Sequence, residues 1–251
     1  MKILILALSG IGDALMFTPA LKLIRQSQPT AQIDALVMFN GTREVYQTNL
    51  YINSVIHFDF LKEGVIASLK FVLGLRKKYD ATINVYPSNR KEYNVINFLL
   101  GAKQRAGIEY LRANNQNLGW LNNVTVLEND QTHNVQTNIK LIEKLLNKKF
   151  DDEPAMEINL SDDHNRFADD FLEKNNIKEN DFVVGFHPGC AILKNHIVAS
   201  SGLHSRQIRV SGDSYRVPPH SKATIRGSSG QTTHTLVVGS KRSNPTVSWR
   251  K

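Results

Sequence analysis

Between residues 1 and 195, short apolar runs alternate with stretches of helical periodicity. KILILAL (2–8) is continuously apolar, as expected of a parallel strand covered on both faces. A helical pattern follows at once and runs to Gln28. Thr18-Pro19 inside it reads as a cap followed by Pro at the first helical position, so the pattern allows a restart or a kink there. QIDALVM (32–38), SVIHF (54–58) and TINVY (82–86) are the next strands, and residues 61–79 place Val65, Leu69, Val72 and Leu73 at helical spacing. EYNVINFLLG (92–101) is a short helix closed by Gly101, followed by strand candidates RAGIEY (105–110) and VTVL (124–127). HNVQTNIKLIEKLLN (133–147) sets Val135, Ile139, Ile142 and Leu146 on one helical face, and MEINL (156–160) is extended. Ser161 then caps a helix with Asp162 and Asp163 in its first turn, where the helix dipole favours acids. DFVVGFHPG (181–189) is a buried-strand pattern ending in a tight turn. Repeated β-then-α units predict an α/β fold, a doubly wound parallel sheet with right-handed crossovers.

At His196 the texture changes. The last 56 residues hold 11 serines, no Phe, no Met and no Glu, and no stretch keeps a strand or helix period. A segment of that kind buries too little apolar surface to offset chain entropy, so it is expected to be largely disordered. It also carries the whole charge excess. Nine Lys and Arg face a single acid, Asp213, whereas residues 1–195 hold 22 bases and 22 acids. The net charge of +8 is therefore a property of the tail and not of the folded part.

Length and composition narrow the class further. A chain of 251 residues holds one large or two medium domains. The one cysteine, Cys190, excludes an intramolecular disulfide framework and fits a reducing compartment. No run approaches the ~18 apolar residues needed to span a bilayer. Lys2 before ILILALSGIG resembles a signal peptide only superficially: no A-x-A site follows, Asp13 sits where cleavage should begin, and the pattern continues into a helix. A cytoplasmic protein is expected.

The candidate chemistry starts in the loop Ser9-Gly10-Ile11-Gly12-Asp13, between the first strand and its helix. In a doubly wound sheet, ligands sit outside the carboxyl ends of the strands. Gly10 and Gly12 permit positive φ and close backbone approach, and the freed N–H groups at a helix start attract an anion. The dinucleotide fingerprint G-x-G-x-x-G fails at Leu15, and no Gly-Lys-Ser/Thr follows to make a phosphate-binding P-loop. What remains is G-x-G-D. A carboxylate at an anion site needs its own task, and a hydroxyl-directed general base is one. A helix cap is the other reading of Asp13.

These residues resemble the opening of the family 9 glycosyltransferases, the lipopolysaccharide heptosyltransferases and their relatives. The resemblance is carried by the strand, the loop ending Gly12-Asp13, then Thr18-Pro19-Ala20-Leu21, a basic helix end, Pro29, and Ala31 with Ile33. Asp80, His133 and Asn138 also fit, and VVGFHPGCAILKN (183–195) is similar to the family's interdomain strand, glycine turn and downstream lysine. The resemblance covers about residues 1–195. It implies a GT-B architecture, in which a Rossmann-like N-terminal lobe binds the acceptor and a second such lobe binds the nucleotide-sugar donor. It implies inverting transfer of a heptose-type sugar, from a donor such as ADP-heptose to a lipopolysaccharide core or related glycan, without a redox cofactor or catalytic metal. By the same resemblance Asp13 matches the base on the acceptor hydroxyl, and Lys194 matches the lysine at the donor diphosphate. A cation there stabilises the charge that develops on the leaving group.

Other residues carry weaker signals. Ser9, Gly10 and Gly12 line the first loop; His187 could reach a donor phosphate or simply pack at a strand end, and Gly189 serves the turn. Cys190, without a visible base, reads as a small buried residue. Arg90 and Lys91, in Ser88-Asn89-Arg90-Lys91 after the fourth strand, could hold an anionic acceptor or be solvated charge. The 61–79 helix, with Lys70, Arg76, Lys77 and Lys78 among its apolar residues, either packs on its own sheet or rests on an anionic membrane at the inner face.

The expected organisation is an acceptor-side lobe over 1–178, the start of a donor-side lobe over 179–195 and a basic Ser-rich tail over 196–251. A complete donor lobe needs on the order of 120–170 residues. A truncated, weakly active chain is therefore expected, with a frameshift near codon 195 as its cause. The alternatives are a non-catalytic acceptor-binding module and a weak nucleic-acid binder acting through the tail. Specific nucleic-acid recognition is not expected, since the tail's arginines are interleaved with no aromatics beyond Tyr215 and Trp249. Translating the coding DNA in its other two frames beyond codon 195 is expected to restore further β-α units. If neither frame does so, there was no frameshift.

Overall fold

The computed structural model describes residues 1–87, 89–178, 181–186, 207–210, 213–216 and 235–239. Its chain falls into two compact units, Met1–Ser161 and Asp162–Lys251. In the first unit, β1 (Lys2–Ala7), β2 (Gln32–Val37), β3 (Ser54–His57), β4 (Ala81–Asn84), β5 (Gln104–Glu109) and β6 (Val124–Leu127) form one sheet in the order β3-β2-β1-β4-β5-β6. Every pairing in it is parallel. This is the Rossmann-like doubly wound arrangement that the alternating pattern predicts.

Both faces are covered, so β1 and β2 bury five of their six residues each. On one face Ile3, Ile5, Ile33 and Ile83 pack against α1 (Ile11–Ser27) and α5 (Asn134–Leu146) through Phe17, Leu21, Ile24, Leu141 and Ile142. On the other, Leu4, Leu6, Leu8 and Leu36 meet Val72 of α3 (Gly64–Gly74) and Tyr93 and Leu100 of α4 (Lys91–Leu100). Gly101 ends α4 in the left-handed conformation at φ 67°, as its position after an apolar run leads one to expect.

The second face is not uniformly apolar. Thr82 and Asn84 of β4 point into it, and a chain of amides runs from there under α4. Asn84 Nδ2 and Asn122 Nδ2 both donate to Asn94 Oδ1 at 2.9 Å, and Asn97 Nδ2 donates to Asn122 Oδ1 at 2.8 Å. Gly107 makes room for this chain, because a Cβ there would lie 2.5 Å from Asn122 Nδ2. Asn94 Nδ2 also donates to the Asn117 carbonyl at 2.7 Å, which ties the loop after β5 to α4.

Three elements depart from the sequence pattern. First, α1 is one helix across Thr18-Pro19, with no restart. Pro19 has no N–H to give the Leu15 carbonyl. The Thr18 hydroxyl replaces it, donating to Leu15 O at 2.8 Å. Second, α2 (Asn40–Gln47) has no counterpart among the elements read from the sequence, yet its Thr42 and Tyr46 are fully buried. Third, the outer face of α3 does not pack on the sheet: only Val72 of its apolar positions is buried, while Val65, Leu69 and Leu73 are exposed. A helix apolar on all sides can bury only one of them against a single sheet.

MEINL joins no ladder; it is pinned across α1 instead. The Glu157 N–H donates to Thr18 Oγ1 at 3.0 Å, and its carboxylate accepts from Lys22 Nζ at 2.5 Å and Tyr51 OH at 2.9 Å. Those two donors hold the Glu157 carboxyl below its ordinary value.

In the second unit, α6 (Asp162–Lys174) begins with the predicted acids and buries none of its side chains. β7 (Phe182–Phe186) pairs antiparallel with β10 (Thr235–Gly239), and β8 (Gln207–Val210) with β9 (Asp213–Arg216). The last three lie in the segment whose composition predicts no regular structure. At four or five residues they are shorter than the window over which a period can be read.

Thr18→Val removes a hydroxyl that serves Leu15 O and Glu157 N together. It is expected to lower stability by roughly 1–3 kcal/mol, and Thr18→Ser by much less. Denaturant titration of both variants checks this.

Candidate functional site

The strand order reverses at β1, whose neighbours are β2 on one side and β4 on the other. Ligands of doubly wound sheets bind outside the carboxyl ends of the strands at this switch point. Two loops meet there: residues 8–10 after β1 and 85–90 after β4. Ser9 and Gly10 lie in the first, Gly12 and Asp13 in the opening turn of α1 that follows it, and Arg90 in the second, so the topology brings these sequence candidates to one edge. Ser88, His187, Gly189, Cys190 and Lys194 lie outside the described residues.

The first loop is pinned from both faces. Tyr93 OH of α4 donates to Leu8 O at 2.8 Å, and Thr42 Oγ1 of α2 donates to Ser9 O at 3.1 Å. One residue beyond Asp13, Tyr46 OH donates to Ala14 O at 3.2 Å. None of these three was singled out from the sequence. Thr42 and Tyr46 lie in the helix the pattern missed, and Tyr93 reads as an ordinary core aromatic in the 92–101 helix.

Gly10 and Gly12 do not use the positive φ that glycine allows, while the room for close backbone approach is there. Neither has positive φ; among the described glycines only Gly64 and Gly101 do. A Cβ on Gly10 or Gly12 would meet nothing within 4 Å. The fold therefore does not demand glycine at either place, and the missing side chains leave open space at the switch point.

Asp13 is the third residue of α1, and Gly10 is its N-cap. The carboxylate accepts from the Gly10 N–H and the Ser9 hydroxyl, closing the helix end as a capping-box acid does. A capping carboxylate ordinarily titrates low. Burial outweighs both hydrogen bonds here, and the Asp13 pKa is raised above its ordinary 3.8. The cap and the base are thus compatible: the side chain is oriented by the helix end, and its raised pKa suits proton abstraction. Tyr93 lies within the electrostatic reach of both Asp13 and Arg90, which places an acid and a cation around one phenol. Arg90 is exposed at the N-cap of α4, and Lys91 is exposed in its first turn.

The other residues that carried the resemblance are structural. Asp80 Oδ2 accepts from the Lys2 N–H at 2.8 Å, and His133 Nδ1 caps α5 by accepting from Val135 N at 3.3 Å. Buried Asn138 binds both backbone groups of Tyr86, accepting from its N–H and donating to its carbonyl, each at 3.0 Å. Among the described residues no cluster of His, Cys, Asp and Glu is arranged to hold a metal.

Solved structures of glycosyltransferases share this fold. The family 9 glycosyl transferase of Veillonella parvula superposes with a TM-score of 0.57, at 17% identity, over 72% of this chain and 51% of that one. E. coli ADP-heptose lipopolysaccharide heptosyltransferase II gives 0.54 at 17% identity over 72% and 52%. The E. coli heptosyltransferase WaaC, solved with ADP-2-deoxy-2-fluoro heptose, gives 0.51 at 21% over 62% and 51%. The chain spans about half the length of each. No protein-family model and no curated protein sequence matches it. The chain is thus similar in fold to family 9 glycosyltransferases, as its sequence motifs suggested.

Asp13→Asn is expected to leave the unit at least as stable as the parent at neutral pH. A raised carboxyl pKa means that the folded state disfavours the ionised form, so ionisation costs stability as pH rises through the raised value. The gain should vanish as pH falls below the ordinary 3.8. Thermal melts of both proteins from neutral pH downward check the sign.

Proposed function

We propose that residues 1–161 are the acceptor-side lobe of an inverting glycosyltransferase in which Asp13 is the general base. The observation that carries this is the pairing of unfilled space at Gly10 and Gly12 with a half-buried, upshifted carboxylate at the switch point. In this reading an acceptor hydroxyl enters beside the two glycines and gives its proton to Asp13. Its oxygen attacks the anomeric carbon of a nucleotide sugar from the face opposite the departing diphosphate, and the configuration inverts. Arg90 at the same edge steadies an anionic group of the acceptor. The solved heptosyltransferases supply the donor class by analogy, an ADP-heptose-type sugar, with a lipopolysaccharide core or related glycan as acceptor. The sequence resemblance assigns Lys194 to the donor diphosphate, and the sequence offers His187 as a further donor contact and Gly189 as a turn residue. No cofactor and no metal enters the scheme. Such an acceptor is lipid-linked, so the protein works in the cytoplasm against the inner membrane face.

The test is transfer itself. Release of nucleoside diphosphate is measured with the 251-residue chain alone and with a complete donor lobe joined to it. Activity is expected to be low or absent alone and present when the lobe is supplied. In the complete protein, Asp13→Asn should lower kcat by about 10²–10⁴ with little change in KM. Gly12→Ala, inside a helix, should stabilise the fold by roughly 0.5–1 kcal/mol while raising KM for the acceptor. An Asp13→Asn enzyme of undiminished kcat removes Asp13 from the chemistry.

A further inference from the structure

We propose that α3 is a membrane-docking element whose outer face lies on an anionic lipid bilayer. The inner face of this helix is accounted for. Val72 is 2% exposed, and Phe71 stacks on Phe58 with ring centroids 4.1 Å apart. The outer face is apolar too, and nothing in the first unit covers it. Val65 is 84% exposed and Ile66 86%, with Leu61, Leu69 and Leu73 exposed beside them. An open depression of about 460 Å3 lined by Ala67, Lys70, Phe71, Gly74 and Leu75 continues this surface toward the C-terminal half of the helix. Isolated exposed apolar residues are ordinary, but five on one helix and the turn before it form a patch that water does not favour.

Charge decides what covers it. Lys62 and Lys70 lie in the same stretch as the patch, Arg76, Lys77 and Lys78 follow the end of α3, and Glu63 is the one acid between residues 60 and 79. Lys62 is paired, with Asp59 Oδ2 at 3.2 Å. A second copy docking through the same face would bring like charges together. An anionic bilayer meets the opposite sign with its headgroups and takes the apolar side chains at the acyl boundary, the arrangement of interfacial amphipathic helices. The start of α3 follows the carboxyl end of β3, so the patch begins at the sheet edge that carries Gly12 and Asp13. A lipid surface there would meet that edge directly.

The transferase proposal places the protein near a membrane; the surface by which it docks is read from α3 alone. The experiment therefore needs neither donor nor acceptor, and its failure leaves the Asp13 chemistry standing. The full chain is sedimented with vesicles of phosphatidylglycerol and phosphatidylethanolamine, and separately with phosphatidylcholine vesicles. The expected result is binding to the anionic vesicles that weakens in high salt. Ile66→Glu with Leu69→Glu should lower the partition coefficient by about tenfold or more. Lys70→Gln should lower it less, and only at low salt. In the Val65→Trp variant, brominated lipid should quench fluorescence beyond that of the parent, whose tryptophans are Trp120 and Trp249. Circular dichroism confirms that each variant is folded, as exposed positions predict. Absence of binding overturns the proposal. So does binding that the double substitution leaves unchanged, which would place the contact in the basic tail. Concentration-dependent self-association abolished by the same substitutions, without any vesicle effect, would assign the face to a second copy of the chain and overturn it equally.

Discussion

The structure of the first unit depends on β1 being bonded on both edges and covered on both faces. The four residues Ile3–Leu6 have parallel partners in both β2 and β4, so their backbone groups are satisfied within the sheet. Their side chains must be apolar in both directions, and KILILA supplies that. Only a central strand has the reversal of strand order beside it, so the same requirement that makes β1 a hydrophobic run also fixes where its following loop opens. The position of Asp13 is thus a result of sheet topology before it is a matter of chemistry. Tyr93 and Thr42 then hold the loop carbonyls from opposite faces, so that the carboxylate is presented by rigid elements and not by a free loop.

The parts of this fold that could be read from the sequence are those where burial imposes a period. All six strands of the first unit and four of its five helices are visible as apolar runs or helical spacing, because each packs a face against its neighbours. In the second unit α6 is the exception, legible from the Ser161 cap and its first-turn acids while burying no side chain. The short helix α2 is hidden because its buried residues, Thr42, Val45 and Tyr46, are diluted by Asn40, Gly41 and Arg43 at its start. Its contribution to the site is correspondingly hidden. The continuity of α1 was illegible for a different reason. Thr18-Pro19 is a helix-start signal on its own, and only the hydrogen bond from Thr18 to the carbonyl that Pro19 abandons allows the helix to run through. A spacing rule sees the proline but not the substitute donor.

The candidate site was legible in its residues and misread in part of its reasoning. Gly10 and Gly12 lie at the switch point, and with ordinary φ and open surroundings they leave space there and do not bend the chain. Cap and base looked like rival descriptions of Asp13 in the sequence. In three dimensions the cap orients the side chain, and burial sets its proton affinity. Asp80, His133 and Asn138 carry the resemblance yet hold backbone in place, so that similarity to a family marked its scaffold as much as its chemistry.

The tether at Glu157 reaches further than its three contacts. Thr18, which receives it, lies five residues along α1 from Asp13, about 7.5 Å at 1.5 Å per residue. The segment leading out of the first unit is therefore fastened to the same rigid rod that carries the carboxylate, one and a half turns away. Slack between that fastening and the Asp13 carboxylate is limited to the stretch of a few hydrogen bonds and the short span of α1 between them.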